Sequence, residues 1–203
     1  MARYERKDRF HRQAKREGYR SRAAYKLAEI DARQRLLRRG DRVVDLGAWP
    51  GGWLQVAAEA VGPGGRVVGV DVAALEPLPD AHVALLQADL TEPGLAERIL
   101  ALLGGPADVV LCDAAPKLTG IRDRDRALEE ELLLAVERLA PALLRPGGDL
   151  LMKVLECPEA RPIERRISAR FERARALRPE ASRQGSSERY LLARARRREP
   201  SET

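Results

Sequence analysis

The residues whose types and spacing suit ligand chemistry begin at Asp45. It leads into Leu46-Gly47-Ala48-Trp49-Pro50-Gly51-Gly52-Trp53, which reads as the turn between an apolar strand and a helix. Glycines at such a turn let a ligand approach the backbone, and a helix N-terminus offers unpaired N–H groups. The spacing is Gly-x-x-x-Gly-Gly, not the Gly-x-Gly-x-x-Gly of dinucleotide sites. An ordinary tight turn would also use glycines, so the aspartates decide the reading. Asp71, 24 residues after Gly47, ends the second apolar run, where an acid can accept hydrogen bonds from both hydroxyls of a ribose. Asp89 follows the third run and is suited to accept from an adenine amino group, and Asp113 closes the fourth. Strand-end aspartates beside a glycine turn describe a nucleoside site. The central block has no P-loop lysine and no phosphate-binding basic run, which argues against nucleoside triphosphates. S-adenosylmethionine carries a ribose, an adenine, a cationic sulfur and an amino acid but no phosphate, so an acid-rich pocket suits it.

These residues need a scaffold, and the hydrophobic pattern supplies one. Strands are predicted over 42–46, 66–70, 83–87, 108–112 and 149–155, with two late strands over 172–177 and 189–195. Helices are predicted over 51–61, 92–103, 124–144 (broken or kinked at Pro141) and 162–171. An amphipathic helix over 21–38 is predicted to start at a Ser21 cap and end at Gly40-Asp41. Continuous apolar strands alternating with helices imply a parallel sheet covered on both faces. The last two strands have no helix between them and predict an antiparallel hairpin at one edge. The domain plan is a basic arm over 1–19, one α/β domain over 20–197 and a short tail over 198–203.

Five separated motifs resemble one family, the FtsJ/RrmJ ribosomal RNA 2′-O-methyltransferases. They are the 45–53 turn, Ser21-Arg22-Ala23-Ala24-Tyr25-Lys26-Leu27, Asp113-Ala114-Ala115-Pro116, Met152-Lys153-Val154 and Ser186-Ser187-Glu188-Arg189-Tyr190. The resemblance spans about residues 20–195. It implies a Rossmann-like S-adenosylmethionine-dependent methyltransferase fold, a mostly parallel seven-stranded sheet with an antiparallel edge hairpin and helices on both faces. It implies a Lys-Asp-Lys-Glu tetrad of Lys26, Asp113, Lys153 and Glu188, with Gly51, Trp53, Asp71, Asp89 and Asp113 touching the cofactor. The turn adds Asp45, Gly47, Pro50 and Gly52 as candidate cofactor residues. The implied substrate is a uridine of large-subunit ribosomal RNA. A transfer RNA, or a catalytically silent role in ribosome assembly, stands as the alternative.

Such a tetrad fits the chemistry. Methyl transfer to a ribose hydroxyl is an in-line displacement, so the protein must align the oxygen and dispose of its proton. A lysine serves as base only when burial or a second cation favours its neutral form. Lys153 lies in the apolar run LLMKVLE, and Lys26 would be the neighbouring cation. Three positions depart from the family: Trp49 replaces a small residue, Lys117 stands where asparagine is common, and Glu156-Cys157-Pro158-Glu159 replaces a small or polar run.

Charge is segregated along the chain. Residues 1–40 carry 14 Lys/Arg and 5 Asp/Glu, residues 161–203 carry 13 and 6, and residues 41–160 carry 10 and 20. Basic ends around an acidic middle point to a polyanion partner. The arm offers Arg9, Arg12, Lys15, Arg16, Arg20 and Arg22 to RNA phosphates, interleaved with aromatics suited to stacking, while Arg33, Arg35, Arg38 and Arg39 extend the patch. Lys117 adds a cation beside the expected substrate cleft. The family resemblance implies that this polyanion is ribosomal RNA or the large subunit. Two cysteines in apolar stretches fit reduced thiols, with no disulfide framework and no metal site. The absence of a signal peptide or of about 18 consecutive apolar residues predicts a cytoplasmic protein with no membrane partner. A monomer is expected.

Overall fold

The computed structural model describes residues 9–116, 119–155, 157–182 and 188–198, with side chains from residue 12 onward. Two helices, α1 (Arg9–Arg16) and α2 (Ala23–Gln34), precede β1 (Arg42–Leu46), α3 (Gly52–Val61), β2 (Arg66–Asp71) and β3 (Val83–Gln87). There follow α4 (Leu95–Leu103), β4 (Ala107–Cys112), α5 (Arg122–Leu143), β5 (Leu144–Leu155), α6 (Ala160–Ala169), β6 (Phe171–Leu177) and β7 (Glu188–Arg196).

The strands form one seven-stranded sheet in the order β3-β2-β1-β4-β5-β7-β6. Strands β1 to β5 pair in parallel, and β7 runs antiparallel to both β5 and β6. The final hairpin therefore places its second strand inward, leaving β6 as the edge. The strand order reverses between β1 and β4, and their carboxyl ends open the crevice that such sheets use for ligands.

Alternation along each strand divides the core. Val44, Leu46, Val68 and Val70 face one apolar layer with Ile99 of α4, Val136 of α5 and Ile163 of α6. Val43, Val67, Leu111 and Leu151 face the other, with Leu27 of α2 and Leu54 of α3. Asp45 shares the second face, a carboxyl set among apolar neighbours.

Most boundaries differ from the sequence pattern by one to five residues, β5 for instance starting at Leu144 rather than 149, and three differences near α2 and α5 have a visible physical cause. The spacing predicts a helix over 21–38, but α2 stops at Gln34, where Arg35 turns left-handed with φ 51°. The Asp31 carboxylate accepts the Leu37 N–H at 2.7 Å, fixing an extended exit that lets Leu36 and Leu37 still bury. At the other end, Arg22 rather than Ser21 is the N-cap, and the Ser21 hydroxyl is buried without a hydrogen-bond partner among the described residues. Pro141 sits in the last turn of α5 and removes one backbone donor there, yet the helix continues to Leu143.

Residues 9–19 lie against the domain. Ala14 is buried, Tyr19 meets Tyr25 edge-on at 5.5 Å, and the Tyr25 hydroxyl donates to Glu17 at 2.7 Å. Among the described residues, no helix is long and apolar enough to cross a membrane. Cys112 and Cys157 are both free thiols.

Candidate active site

At the carboxyl ends of β1, β2 and β4 lies a cavity of about 880 Å³. Gly47, Asp71, Asp89, Asp113 and Pro116 line one side, and α5 closes the other with Leu128 and Leu132. Gly47 has φ 75°, and a Cβ there would lie 2.3 Å from the Ala114 Cβ, so a side chain would be both strained and blocked. The two loops after β1 and β4 thus close on each other at the cavity floor.

The acids are held in different states. Asp71 accepts the N–H of Trp49 at 2.9 Å through Oδ2 and that of Ala73 at 2.8 Å through Oδ1, which fixes its carboxylate at the mouth. Asp89 accepts both the N–H and the hydroxyl of Thr91, and those bonds hold its carboxyl below the usual aspartate range. Asp45 lies behind the cavity, fully buried, with neither carboxyl oxygen hydrogen-bonded among the described residues. Burial, reinforced by the charges of Asp113 and Asp71, pushes its carboxyl well above the ordinary range.

Gly51 and Gly52 abut residues 20 and 21. A Cβ on Gly51 would lie 2.9 Å from the Arg20 side chain, and one on Gly52 would lie 2.2 Å from the Ser21 hydroxyl. Pro50 follows Trp49 through a cis peptide bond. Trp53 is in the core, where its Nε1–H donates to the Ala23 carbonyl at 2.8 Å. The turn, α3 and the start of α2 are therefore one packed unit. Trp49 stands 60% exposed on the cavity rim.

Beside Asp113, four elements bring four charged side chains together. Lys153 projects from β5, its Nζ 3.2 Å from Asp113 Oδ1 and donating to the Asp113 carbonyl at 2.5 Å. Lys26 projects from α2, 2.6 Å from Glu188 at the start of β7. Both lysines are buried, at 8% and 9% exposure. Burying an ammonium is unfavourable unless a carboxylate is in contact, so separating either pair would leave an uncompensated buried charge. Burial alone would raise the Glu188 carboxyl, but the hydrogen bond and charge of Lys26 outweigh it, with help from Ser182, and hold it below the usual glutamate range.

Tyr190 joins the two pairs, and composition gave no sign of that role. It sits directly opposite Lys153 in the β5–β7 register. Its hydroxyl donates to Asp113 Oδ1 at 2.7 Å, its ring lies 5.8 Å from Lys26 Nζ, and it packs 5.7 Å from the Trp53 ring. The available signal was its place two residues after Glu188, on the same face of a strand.

The expected RNA-contacting residues are dispersed. Arg12, Lys15 and Arg16 are exposed on α1. Arg20 donates to the carbonyls of Glu76 at 2.6 Å and Pro77 at 2.8 Å, tying the loop after β2 to the glycine turn. Arg22 donates to the Ala181 carbonyl at 2.5 Å. The Arg9 side chain and Lys117 lie outside the described residues.

The cavity has the chemistry that the cofactor read from the sequence would need. Its acids suit ribose hydroxyls and a cationic sulfur, and its Gly47 floor leaves room for close backbone approach. The orphaned Asp45 carboxyl lies within electrostatic reach of Asp71 and Asp113.

Comparison with known proteins gives the same picture. A family model described as FtsJ-like methyltransferase matches residues 19–196. The "Ribosomal RNA large subunit methyltransferase E" of Methanothrix thermoacetophila is 47% identical over 194 residues, 96% of this chain and 74% of that protein. Among solved structures, a candidate ribosomal RNA methyltransferase of Plasmodium falciparum superposes with TM-score 0.75 at 24% identity, over 88% of this chain and 98% of that one. Aeropyrum pernix fibrillarin, solved with natively bound S-adenosyl-L-methionine, superposes with TM-score 0.59 at 18% identity, over 86% of this chain and 75% of that one.

Proposed function

The chain belongs to the FtsJ-like methyltransferase family, and from that premise we propose that it methylates the 2′-hydroxyl of a uridine ribose in large-subunit ribosomal RNA. The cofactor is S-adenosylmethionine. The observation that carries the reading is the pair of buried lysines, each pinned to a carboxylate, beside an acid-lined cavity.

In this reading Asp71 takes the cofactor ribose, Asp89 the adenine amino group, and Gly47 with Gly51, Gly52 and Pro50 shapes the loop around it. Trp53 acts through packing, holding α3 and α2 in place. Asp45 lies beneath the loop as a buried carboxyl that keeps its proton. Bound S-adenosylmethionine supplies an electrophilic methyl carbon attached to a cationic sulfur. Lys153 Nζ holds the substrate 2′-oxygen and, in its amine form, takes the hydroxyl proton. Lys26 faces the same oxygen as a cation and offsets its developing negative charge. Asp113 and Glu188 keep the two amines apart and oriented, and Tyr190 fixes Asp113 between them. Arg9, Arg12, Lys15, Arg16 and Lys117 neutralise RNA phosphates around this centre, while Arg20 and Arg22 hold the segment that carries Lys26. The enzyme works as a cytoplasmic monomer on ribosomal RNA or the large subunit.

Replacing Lys153 with alanine tests the assignment. With tritiated S-adenosylmethionine and large ribosomal subunits, turnover is expected to fall by about 10²–10⁴-fold. Cofactor affinity, measured by calorimetry, should stay within about threefold. Near-normal turnover would overturn the role given to Lys153.

A further inference from the structure

Outside the site described above, the strongest unassigned feature is a cleft of about 630 Å³ at the opposite end of the sheet. It lies where the exit of α2 meets the amino end of β4, the start of β5 and the carboxyl end of β7. Six arginines line it: Arg35, Arg38, Arg145, Arg173, Arg175 and Arg194. We propose that this cleft is a second RNA-contacting site, which grips the phosphate backbone of the substrate away from the ribose being methylated. The proposal rests on the reading of the chain as an RNA methyltransferase.

The charge balance in the cleft points to an anion. Its three carboxylates are already engaged by the protein. Asp108 accepts from Arg145 at 2.6 Å and from the Arg42 N–H at 2.8 Å. Asp149 accepts from Arg194 at 2.6 Å and from the Ala195 N–H at 2.9 Å. Asp41 accepts the Arg38 N–H at 2.8 Å. Arg175 donates to the Gln34 side chain, and Arg194 also reaches the Gln34 carbonyl. Arg35, Arg38 and Arg173 are exposed; among the described residues no hydrogen bond or ion pair engages the guanidinium groups of Arg35 and Arg173, while the charge of Arg38 acts on Asp41. Six arginines against three carboxylates leave a surplus of positive charge around one concavity, which an anion offsets.

The lining also selects the kind of anion contact. Leu36, Val109, Ala174 and Leu192 supply the apolar part of the wall, and none of the described lining residues is aromatic. A site without a stacking ring holds phosphates and leaves bases unread. Guanidinium groups suit phosphate oxygens through paired N–H donors.

The position sets the reach. From Lys26 to Gln34 at the cleft is about 12 Å along the axis of α2. From Asp113 to Asp108 is about 16 Å along β4. The sequence grouped Arg35 and Arg38 with the basic arm beside Lys26, but the fold carries them to the far end of α2. At about 3.4 Å per stacked nucleotide these distances span about four or five nucleotides, so a short RNA of two or three nucleotides seated at the tetrad cannot fill both places, whereas a longer RNA can. The cleft would then make the enzyme prefer long, structured substrates.

The test replaces two rim arginines together, Arg38→Glu/Arg173→Glu, with Arg38→Gln/Arg173→Gln as the milder pair should charge reversal perturb folding. Binding is measured to a protein-free large-subunit RNA domain and to a short oligoribonucleotide, across a salt series. For the long RNA, affinity is expected to fall by about tenfold and the log–log salt slope by about 1 per arginine lost. Affinity for the short RNA and for S-adenosylmethionine should change by less than about twofold. Unchanged affinity and slope with the long RNA would overturn the proposal. So would a defect seen only with assembled subunits, which would mean that the cleft meets a protein. Failure of the methyltransferase reading itself would look different: the wild type would transfer no methyl group while still binding RNA.

Discussion

Asp45 and Glu188 are two carboxyl groups whose burial has opposite consequences. Asp45 has no partner among the described residues, and its carboxyl is raised well above the ordinary range. The folded protein therefore holds a proton that the unfolded chain releases, so stability falls as pH rises from the usual aspartate value of 3.8 through the raised folded value. Asp45→Asn removes that loss. The melting temperature of the variant relative to the wild type should rise with pH, and a gap that stays flat would contradict the assignment. Glu188 is lowered by its contact with Lys26, so its contribution is present above the usual glutamate value of 4.5 and is lost as pH falls through its depressed value. Glu188→Gln is expected to destabilise by about 1–3 kcal/mol at neutral pH. That difference should shrink on acidification in denaturant melts followed by circular dichroism. The tyrosine between the pairs gives a third test. Tyr190→Phe keeps the ring against Trp53 and loses only the bond to Asp113. It should lower stability by about 1 kcal/mol while leaving cofactor affinity intact.

At the scale of elements, the limits of β1 and β3 could be read to the residue, because each is a short apolar run bounded by polar or turn residues, although β1 is central and buried and β3 is a half-exposed edge. The exit from α2 could not. Leu36 and Leu37 continue the apolar pattern, and the break depends on a left-handed Arg35 and a side-chain bond from Asp31, neither of which has a sequence period. The placement of β7 between β5 and β6 was also hidden, since adjacency in sequence favours a plain hairpin. The site was legible in part for the same reason. Asp71, Asp89 and Asp113 follow strands and share one cavity, whereas Gly51, Gly52 and Trp53 turn toward residues 20–23 because a distant segment packs there. Gly47 is the position where loop conformation and packing coincide. Gly47→Ala should lower stability by about 2 kcal/mol or more, from left-handed strain and the collision with Ala114. Thermal melts and cofactor titration would check it, and an unaffected melting temperature would contradict the account of the loop.

At the scale of the molecule, acidic and basic regions are divided by function. The acidic middle supplies the aspartates of the cavity at the carboxyl ends of the strands, and the basic ends supply α1 and the β6–β7 arginines of the cleft at the opposite end of the sheet. Deleting residues 1–12 stops short of the buried Ala14, so the domain should keep its fold. RNA affinity should fall and its salt dependence flatten, because each lost phosphate contact removes about one unit of slope. An RNA affinity equal to that of the full chain would contradict a role for the arm. The central claim is that the methyl group goes to a ribose oxygen of large-subunit RNA. It is tested most directly by labelling large subunits, and total transfer RNA in parallel, with tritiated S-adenosylmethionine and then hydrolysing the RNA in alkali. A 2′-O-methyl group blocks cleavage at its own phosphodiester, so the account predicts label from the large subunit in an alkali-resistant dinucleotide that begins with uridine. Label released in mononucleotides, or found in transfer RNA alone, would contradict it.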